Sequence, residues 1–395
     1  MQKKLIVLAI AAMASTSAFA DSVTTVYGVI DAGYGTVSNT STNKSTAITA
    51  DPAKTTQSGT AFSQNQTSRV GVKSVEDLGG GMKAVYQLEI GLSSNPASDA
   101  AFGSTSIGTS SSGFVQNSTI SPDRVMSAAL DFGQGTTVVA GRVSSPLRGI
   151  SYGYDADYGS NFVGNLVTSD ADLITRANAL AVVQAFGPVT ATAAMLQNTT
   201  KTQTAGATST AGADVLGGNG YEVTATFKQA ALSVAAGYRD LEATTVNATS
   251  GTLNSILAGQ TSSDVHTKVM ILAASYDLGV AKVYGQYATV DKSEGIATAT
   301  TTAGKNTYES FGVNVPITPT LAGFIELSAG KNARAANNAT YSDSRNLSAY
   351  AIGAVYTFSK TTSVYADIGS EKLSNSINQA GSQVDQIALG ILKSF

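Results

Sequence analysis

Apolar and polar residues alternate along most of this chain with a period of two. Tyr221, Val223, Ala225 and Phe227 fall on one face of an extended segment, and Glu222, Thr224 and Thr226 on the other. Leu232, Val234, Ala236 and Tyr238 line up in the same way. Ala281, Val283, Gly285 and Tyr287 oppose Lys282, Tyr284 and Gln286; Leu321, Gly323, Ile325 and Leu327 oppose Phe324 and Glu326. Val364, Ala366 and Ile368 oppose Tyr365 and Asp367. The last stretch, QVDQIALGILKSF, puts Ile387, Leu389, Ile391 and Phe395 on one face and Gln386, Ala388, Gly390 and Ser394 on the other. A helix would mix these sets, because its period is 3.6, so the pattern predicts strands with one apolar and one mixed face.

The connections alternate as well. Short turns are predicted at Glu76–Gly81, Gly133–Gly135, Gly187-Pro188, Gln229-Ala230, Asp277–Gly279, Pro316–Thr320 and Ser359–Thr361. Between them lie long stretches rich in Ser, Thr, Ala and Asn: Ser38–Gln66, Ser93–Ser121, Ser144–Asp172, Thr199–Asn219, Leu241–Asp264, Asp291–Asn306, Asn332–Asn346 and Lys372–Gln383. This count gives about sixteen strands, an even number, with both termini on the short-turn side where first and last strands can pair. Phe132, Phe186, Phe227, Tyr276 and Phe358 sit just before short turns, and Phe395 holds the equivalent place. In a β-sandwich, aromatics would cluster mid-strand in the core. At strand ends they form the girdle of a membrane barrel.

Composition narrows the picture. Charged residues are 13% and hydrophobic residues 43% of the chain, and there is no cysteine. Disulfides and thiolate metal sites are therefore excluded. Lys3 and Lys4 precede the apolar run Leu5–Met13, and Ala18-Phe19-Ala20 offers small residues around a bulky one. This predicts a secretory leader over residues 1–20, cleaved after Ala20, with one domain over 21–395. The leader is too short to span a bilayer, which takes about 20 apolar residues. With an apolar face toward lipid, only a closed barrel leaves no unpaired sheet edge in the membrane. The acidic excess, 27 against 24 basic residues, argues against a nucleic-acid partner.

Enzyme chemistry is poorly supplied. The single histidine, His266, stands at a strand start beside a long stretch, with no Ser/His/Asp arrangement around it. Gly79–Gly81 lies in a turn and opens no helix, so it is no phosphate cradle. No His cluster suggests a metal, and no ligand spacing fixes a calcium site. No cofactor is expected. Arginines carry more information. Arg69 shares a face with Gly71 and Lys73, opposite Val70 and Val72; Arg124 begins RVMSAALDF, Arg142 ends TTVVAGR, and Arg176 starts RANALAVV. A basic residue facing mid-bilayer lipid costs roughly 2–4 kcal/mol, so these four are expected in the lumen or at a rim. Charges of one sign in a narrow lumen sort ions. Ser144–Asp172 contains YGYDADYGSNF. There Asp155 and Asp157 are expected to oppose the arginines, with Tyr152, Tyr154, Tyr158 and Phe162 packing the loop inward.

These segments resemble the Gram-negative general porins, of the type found in beta-proteobacteria such as Burkholderia and Neisseria. VTTVYGVIDAGYG resembles their first strand, and SVEDLGGGMKAVYQLEIGL their first short turn and following strand. AALDFGQGTTVVAGR, YDLGVAKVYGQY, GAVYTFSKTTSVYADI and the final Phe395 continue the likeness. The resemblance implies an all-β, 16-stranded antiparallel transmembrane β-barrel in the outer membrane. It also implies a homotrimer, contact with outer-membrane lipid and lipopolysaccharide, and a third loop folded into the lumen. By position, Arg69, Arg124 and Arg176 resemble the basic side of the porin eyelet. Arg142 resembles the arginine leading into the loop, and Asp155 and Asp157 its acidic side. Three features depart from the pattern: Val70 stands where an aromatic is frequent, the loop lacks Pro-Glu-Phe-Gly, and Lys393 lies in the terminal strand. The expected activity is passive diffusion of ions and small hydrophilic solutes. An anion-preferring selective channel and a surface adhesin stand as alternatives.

Overall fold

The computed structural model describes residues 22–43, 53–63, 65–92, 124–157, 163–170, 172–198, 213–247, 261–294, 304–334, 343–375 and 381–395. The expected leader, Tyr158, Phe162 and the stretch Ser93–Ser121 lie outside them. The strands are β1 (Ser22–Asn43), β2 (Ala53–Ser63), β3 (Ser68–Gly79), β4 (Met82–Leu92), β5 (Val125–Asp131), β6 (Thr136–Ser144), β7 (Arg176–Phe186) and β8 (Val189–Asn198). They continue as β9 (Ala213–Gln229), β10 (Leu232–Asn247), β11 (Thr261–Asp277), β12 (Lys282–Glu294), β13 (Gly304–Pro316) and β14 (Leu321–Arg334). The last are β15 (Asp343–Ser359), β16 (Thr362–Asn375) and β17 (Gly381–Ser394). Two helices, α1 (Pro146–Gly153) and α2 (Leu166–Ser169), lie between β6 and β7.

Each strand pairs antiparallel with its neighbour in sequence, except that β2 and β3 both pair with β1, and β17 returns to β1 over Val29–Thr42. Gly28 and Phe395 exchange backbone hydrogen bonds of 3.0 and 3.1 Å, which close the ring at the turn side. Closure satisfies the edge groups that lipid cannot hydrogen-bond. All seven predicted short turns are present between paired strands.

Seventeen segments make sixteen staves, because β2 and β3 form one broken strand. The lower part of β1 pairs with β3 up to Val29↔Arg69, and the upper part with β2 from Gly33↔Ser63. The register advances four residues along β1, from Val29 to Gly33, but six along its partner, from Arg69 to Ser63, and the excess forms a bulge. This corrects the reading of Ser38–Gln66 as one long loop. The other polar stretches also shrink: β9, β10 and β11 carry strand pairing into segments expected to be loops. Thr-rich segments with two polar faces show no alternation, yet they zip up once the membrane part of the hairpin sets the register.

The outward face is apolar. Leu180, Met195, Val223, Leu272, Ile325, Ile352, Leu389 and Ile391 are exposed, whereas their neighbours Ala181, Leu196, Glu222, Ile271, Glu326, Ala351 and Ala388 are buried toward the interior. Phe132, Phe186, Tyr276, Phe358 and Phe395 are exposed near the turns, as a girdle requires. Lys393 sits in an outward row, and its ammonium reaches Thr361 Oγ1 at 2.6 Å in the β15–β16 turn. That is snorkelling to the interface. Among the described residues no helix is long and apolar enough to cross a membrane; the strands do it.

The interior is not uniformly polar, contrary to the simple partition read from the strands. Leu147, Ile150, Tyr154, Leu166, Val167 and Leu173 pack on Ala235, Val269, Ile271, Ala273, Ala288, Val290, Tyr308 and Ala349 of the β10–β15 wall. The segment between β6 and β7 therefore docks inside the barrel through an apolar seam. Each fully buried Leu, Ile or Val contributes about 1.5–3 kcal/mol. What remains open lies against β3–β7.

Candidate constriction site

The open side is built from one face of β3 to β6. Arg69 and Gly71 point inward from β3, and Gly71 leaves space for the ring of Tyr27: a Cβ there would lie 2.4 Å from the ring. The Tyr27 hydroxyl donates to Glu89 Oε2 at 3.1 Å and accepts from Gln87 Nε2 at 2.6 Å. Glu89 is thereby fixed between two arginines. Its Oε1 accepts from Arg124 Nε at 2.5 Å, and Oε2 lies 3.8 Å from Arg69 Nε. Arg69 also donates to the Thr67 carbonyl at 3.1 Å, so the bulge places one arm of the site.

The loop supplies a further arginine. Ser145 caps α1, its hydroxyl accepting from Arg148 N at 3.2 Å, with Pro146 at the first helical position. One turn later Tyr152 lies under Arg148, whose guanidinium is 4.4 Å from the ring centroid. Arg148 also donates to the Ile174 carbonyl. Burial, followed by the charge of Arg124, lowers the Arg148 pKa, while Tyr152 opposes the shift. Arg69, Arg124, Arg148, Glu89, Gln66, Ser127 and Tyr152 are among the groups lining a cavity of about 500 Å³. Arg176, at the start of β7, lies within electrostatic reach of Arg148 and Arg124.

Two of the six residues singled out from the sequence, Arg69 and Arg124, meet in the cavity, and Arg176 stands beside it. Arg142 does not join them. It pairs with Met126 and Asn178 on the outward face, because Gly141 and Val143 take the inward positions of β6. Asp155 and Asp157 do not face the arginines across open water. Both are buried against the opposite wall, with Asp157 N donating to Asp155 Oδ1 at 3.3 Å. Ala156 between them is seated over Gly312: its N–H donates to Glu326 Oε2 at 3.2 Å, and its carbonyl accepts from Asn314 Nδ2 at 3.3 Å. Burial, then the carboxylates of Asp157 and Glu326, raises the Asp155 pKa well above its ordinary range.

A carboxyl whose pKa rises on folding favours the docked loop below its ordinary pKa, and that contribution is lost as pH rises through the folded value. Loop docking is therefore expected to weaken toward alkaline pH, and Asp155→Asn to flatten this dependence. Single-channel current noise recorded against pH checks it; equal pH dependence in the variant contradicts the assignment.

A clasp holds the neck of the loop. Arg239, 1% exposed, forms an ion pair with Glu222 at 2.8 Å. It donates to Ser145 Oγ at 2.8 Å where the loop begins and to the Asp172 carbonyl where it ends. Glu222 also accepts from Leu147 N at 2.5 Å. Farther along, Lys292 pairs with Asp172 at 2.5 Å, and Tyr308 donates to Asp170 at 2.6 Å. Sequence reasoning missed Arg239, Glu222, Glu89 and Arg148. The available signal was a lone charge on the non-lipid face of an alternating strand, as in Glu89 between Leu88 and Ile90. His266 lies 3.9 Å from Glu242 on the outer side of β11. Among the described residues no group of acidic or histidine side chains has metal-binding geometry.

A family model described as Gram-negative porin matches residues 7–376. The chain belongs to the Gram-negative porin family. As a porin it is placed in the outer membrane of a Gram-negative cell, as a β-barrel channel protein. It is 40% identical over 89 residues to outer membrane porin protein 32 of Delftia acidovorans. That alignment spans 22% of this porin and 22% of the relative's own length. Among solved structures, the anion-selective porin from Comamonas acidovorans matches with a TM-score of 0.61 at 21% identity, covering 95% of this chain and 100% of that one. OmpT of Vibrio cholerae in its trimer form matches with a TM-score of 0.59 at 12% identity, covering 95% and 99%. At these identities the two structures show a shared barrel fold.

Proposed function

We propose that this porin is a passive, water-filled channel for ions and small hydrophilic solutes, with a preference for anions set at the cavity between β3–β6 and the inserted loop. The observation that carries this reading is the imbalance of charge there: among the described residues, Arg69, Arg124 and Arg148 line the cavity against one acidic group, Glu89. Asp155 and Asp157 of the loop are buried away from them, and Asp155 is drawn toward its neutral form. Several like charges beside low-dielectric walls raise the local concentration of the opposite ion. The structural likeness to an anion-selective porin agrees with this reading.

Neutral and charged solutes of matched size separate general diffusion from selectivity. In liposome swelling, small sugars are expected to enter, and monovalent organic anions to enter faster than cations of equal size. Equal rates for both ions would leave a general porin without preference; exclusion of all of them would remove the channel reading. The leader over residues 1–20 is proposed to be removed on export, and N-terminal sequencing of the mature protein is expected to start at Asp21. Assembly is proposed to be a homotrimer. The outward rows of β1, β4 and β5, with Val26, Ile30, Leu88 and Met126 exposed, offer apolar surface beside the shortest staves. Native mass measurement in detergent checks the subunit number.

A further inference from the structure

On the β1 side, the residues between Ser63 and Arg69 have no ladder partner. Side chains take over that role. The Ser68 hydroxyl accepts from the Asp31 N–H at 2.9 Å and donates to the Asp31 carbonyl at 3.2 Å, where a ladder pair would otherwise stand. The Asp31 carboxylate reaches further into the bulge: its Oδ2 accepts from Gln66 N at 2.6 Å. Its Oδ1 accepts from the Tyr365 hydroxyl of β16 at 2.8 Å. That hydroxyl accepts in turn from Asn65 N at 3.3 Å, and Asn65 Nδ2 donates to Asp367 Oδ2 at 3.0 Å. At the far end of the bulge, the Thr67 carbonyl accepts from Arg69 Nη1.

Both braces are themselves fixed. Asp31 is 1% exposed and lies on a strand held by β17, opposite Leu392. The phenol of Tyr365 lies over Gly390, where a Cβ would stand 2.3 Å from it. Val163 of the inserted loop belongs to the same buried cluster as the Tyr365 ring. One tyrosine thus supports the bulge and the loop tip together. A bulge stores surplus residues, and the ladder alone does not say where along the strand they sit. Arg69 is the first residue paired with β1 below the surplus. If the surplus slides by one residue across it, residue 69 presents its other face.

We propose that Asp31, braced by Tyr365, is a positioning residue for ion selection: it pins the bulge so that Arg69 keeps its lumen face over the cavity. The inference rests on the anion preference proposed above and names the part of the barrel that maintains it. Asp31 touches no permeating ion; it acts through Gln66, Ser68 and the Thr67 carbonyl.

The test is reversal potential in a salt gradient, recorded on the full-length channel after heat-modifiable gel mobility has verified folding. Asp31→Asn keeps the shape but turns one accepting oxygen into an NH₂ group, so Gln66 N or the Tyr365 hydroxyl loses its acceptor. The anion-over-cation ratio is expected to fall about threefold, as on removing one arginine from the cavity. Loss of a carboxylate charge cannot do this by itself, since it favours anions or leaves the ratio unchanged. In an Arg69→Gln background, Asp31→Asn is expected to add no further fall. Tyr365→Phe keeps the ring over Gly390 and every charge, and is expected to move the ratio in the same direction by a smaller factor. It carries the test should Asp31→Asn fail to fold. A native or raised ratio in Asp31→Asn, or in Tyr365→Phe where only that variant folds, overturns the proposal. So does an equal fall with Arg69 already replaced. A native channel without anion preference removes the reading beneath it, and the inference with it.

Discussion

Neutralising Arg69 and Arg124 together is expected to lower the anion-over-cation permeability ratio about tenfold. A unit charge about 6 Å from a passing ion, screened at physiological salt, contributes about 0.35 kcal/mol in water with opposite sign for anion and cation, so it changes their ratio roughly threefold. Two such charges multiply to the expected factor. Both side chains are held over the cavity by Glu89 and lose that placement only if the strand face changes. Reversal potentials in a salt gradient measure the ratio. Two companion variants sharpen the test. Glu89→Gln removes the one acidic group among the described lining residues and is expected to strengthen anion preference. Arg142→Gln is expected to change nothing, because Arg142 shares the outward face of Met126. A shift from Arg142→Gln equal to that from Arg69 would mean that overall charge, not placement in the lumen, sets selectivity.

Removing Arg239 is expected to release the inserted loop while leaving the barrel closed. Loss of the guanidinium strips Glu222 of its ion partner in a dry site, which costs about 3–5 kcal/mol. It also frees the Ser145 hydroxyl and the Asp172 carbonyl at the two ends of the loop. The readouts are increased current fluctuation and new protease cleavage within 145–172, with heat-modifiable mobility unchanged. The double variant R239M/E222L is expected to be quieter than Arg239→Ala alone, since an apolar pair leaves no uncompensated charge. If Arg239→Ala records as quietly as the native channel, the apolar seam alone holds the loop and the clasp is dispensable.

Much of the fold was legible because lipid imposes a strict rule on one face. Ile387, Leu389 and Ile391 alternate with Gln386 and Ala388 for that reason, and the turns after Phe132 and Phe186 follow from Gly133 and Gly187 at positive φ. The rule stops where the strand leaves the bilayer. Segments such as Leu241–Asn247 mix apolar and polar residues on both faces, so pairing there left no mark in the pattern. The bulge between β2 and β3 was hidden in the same way, although it places Gln66 and Thr67 in the cavity.

The site was legible in part. Arg69 announced itself by sharing a face with Gly71 opposite Val70 and Val72. Arg142 misled because Gly141 precedes it: the period of two then turns Arg142 outward, which its place at the strand end obscured. The sequence pattern places Asp155 and Asp157 opposite the arginines. Their burial depends on Glu326, Asn314 and Gly312, some 160 residues distant in sequence. No local pattern encodes such a contact. Leu147, Ile150, Leu166 and Val167 did carry a signal, an apolar set in a segment otherwise suited to water, and it marks the docking seam.

The absence of cysteine allows the central claim to be tested residue by residue. Ser127 lines the cavity, and Leu130, three residues along the same strand, faces outward. A single cysteine at each position can be exposed to charged, water-soluble thiol reagents during bilayer recording. A cysteine at 127 is expected to react, to block current, and to react faster with the anionic reagent than with the cationic one, while a cysteine at 130 stays inert. Reaction at 130 with none at 127, or faster attack by the cation at 127, would contradict an apolar exterior around a wet, arginine-lined interior.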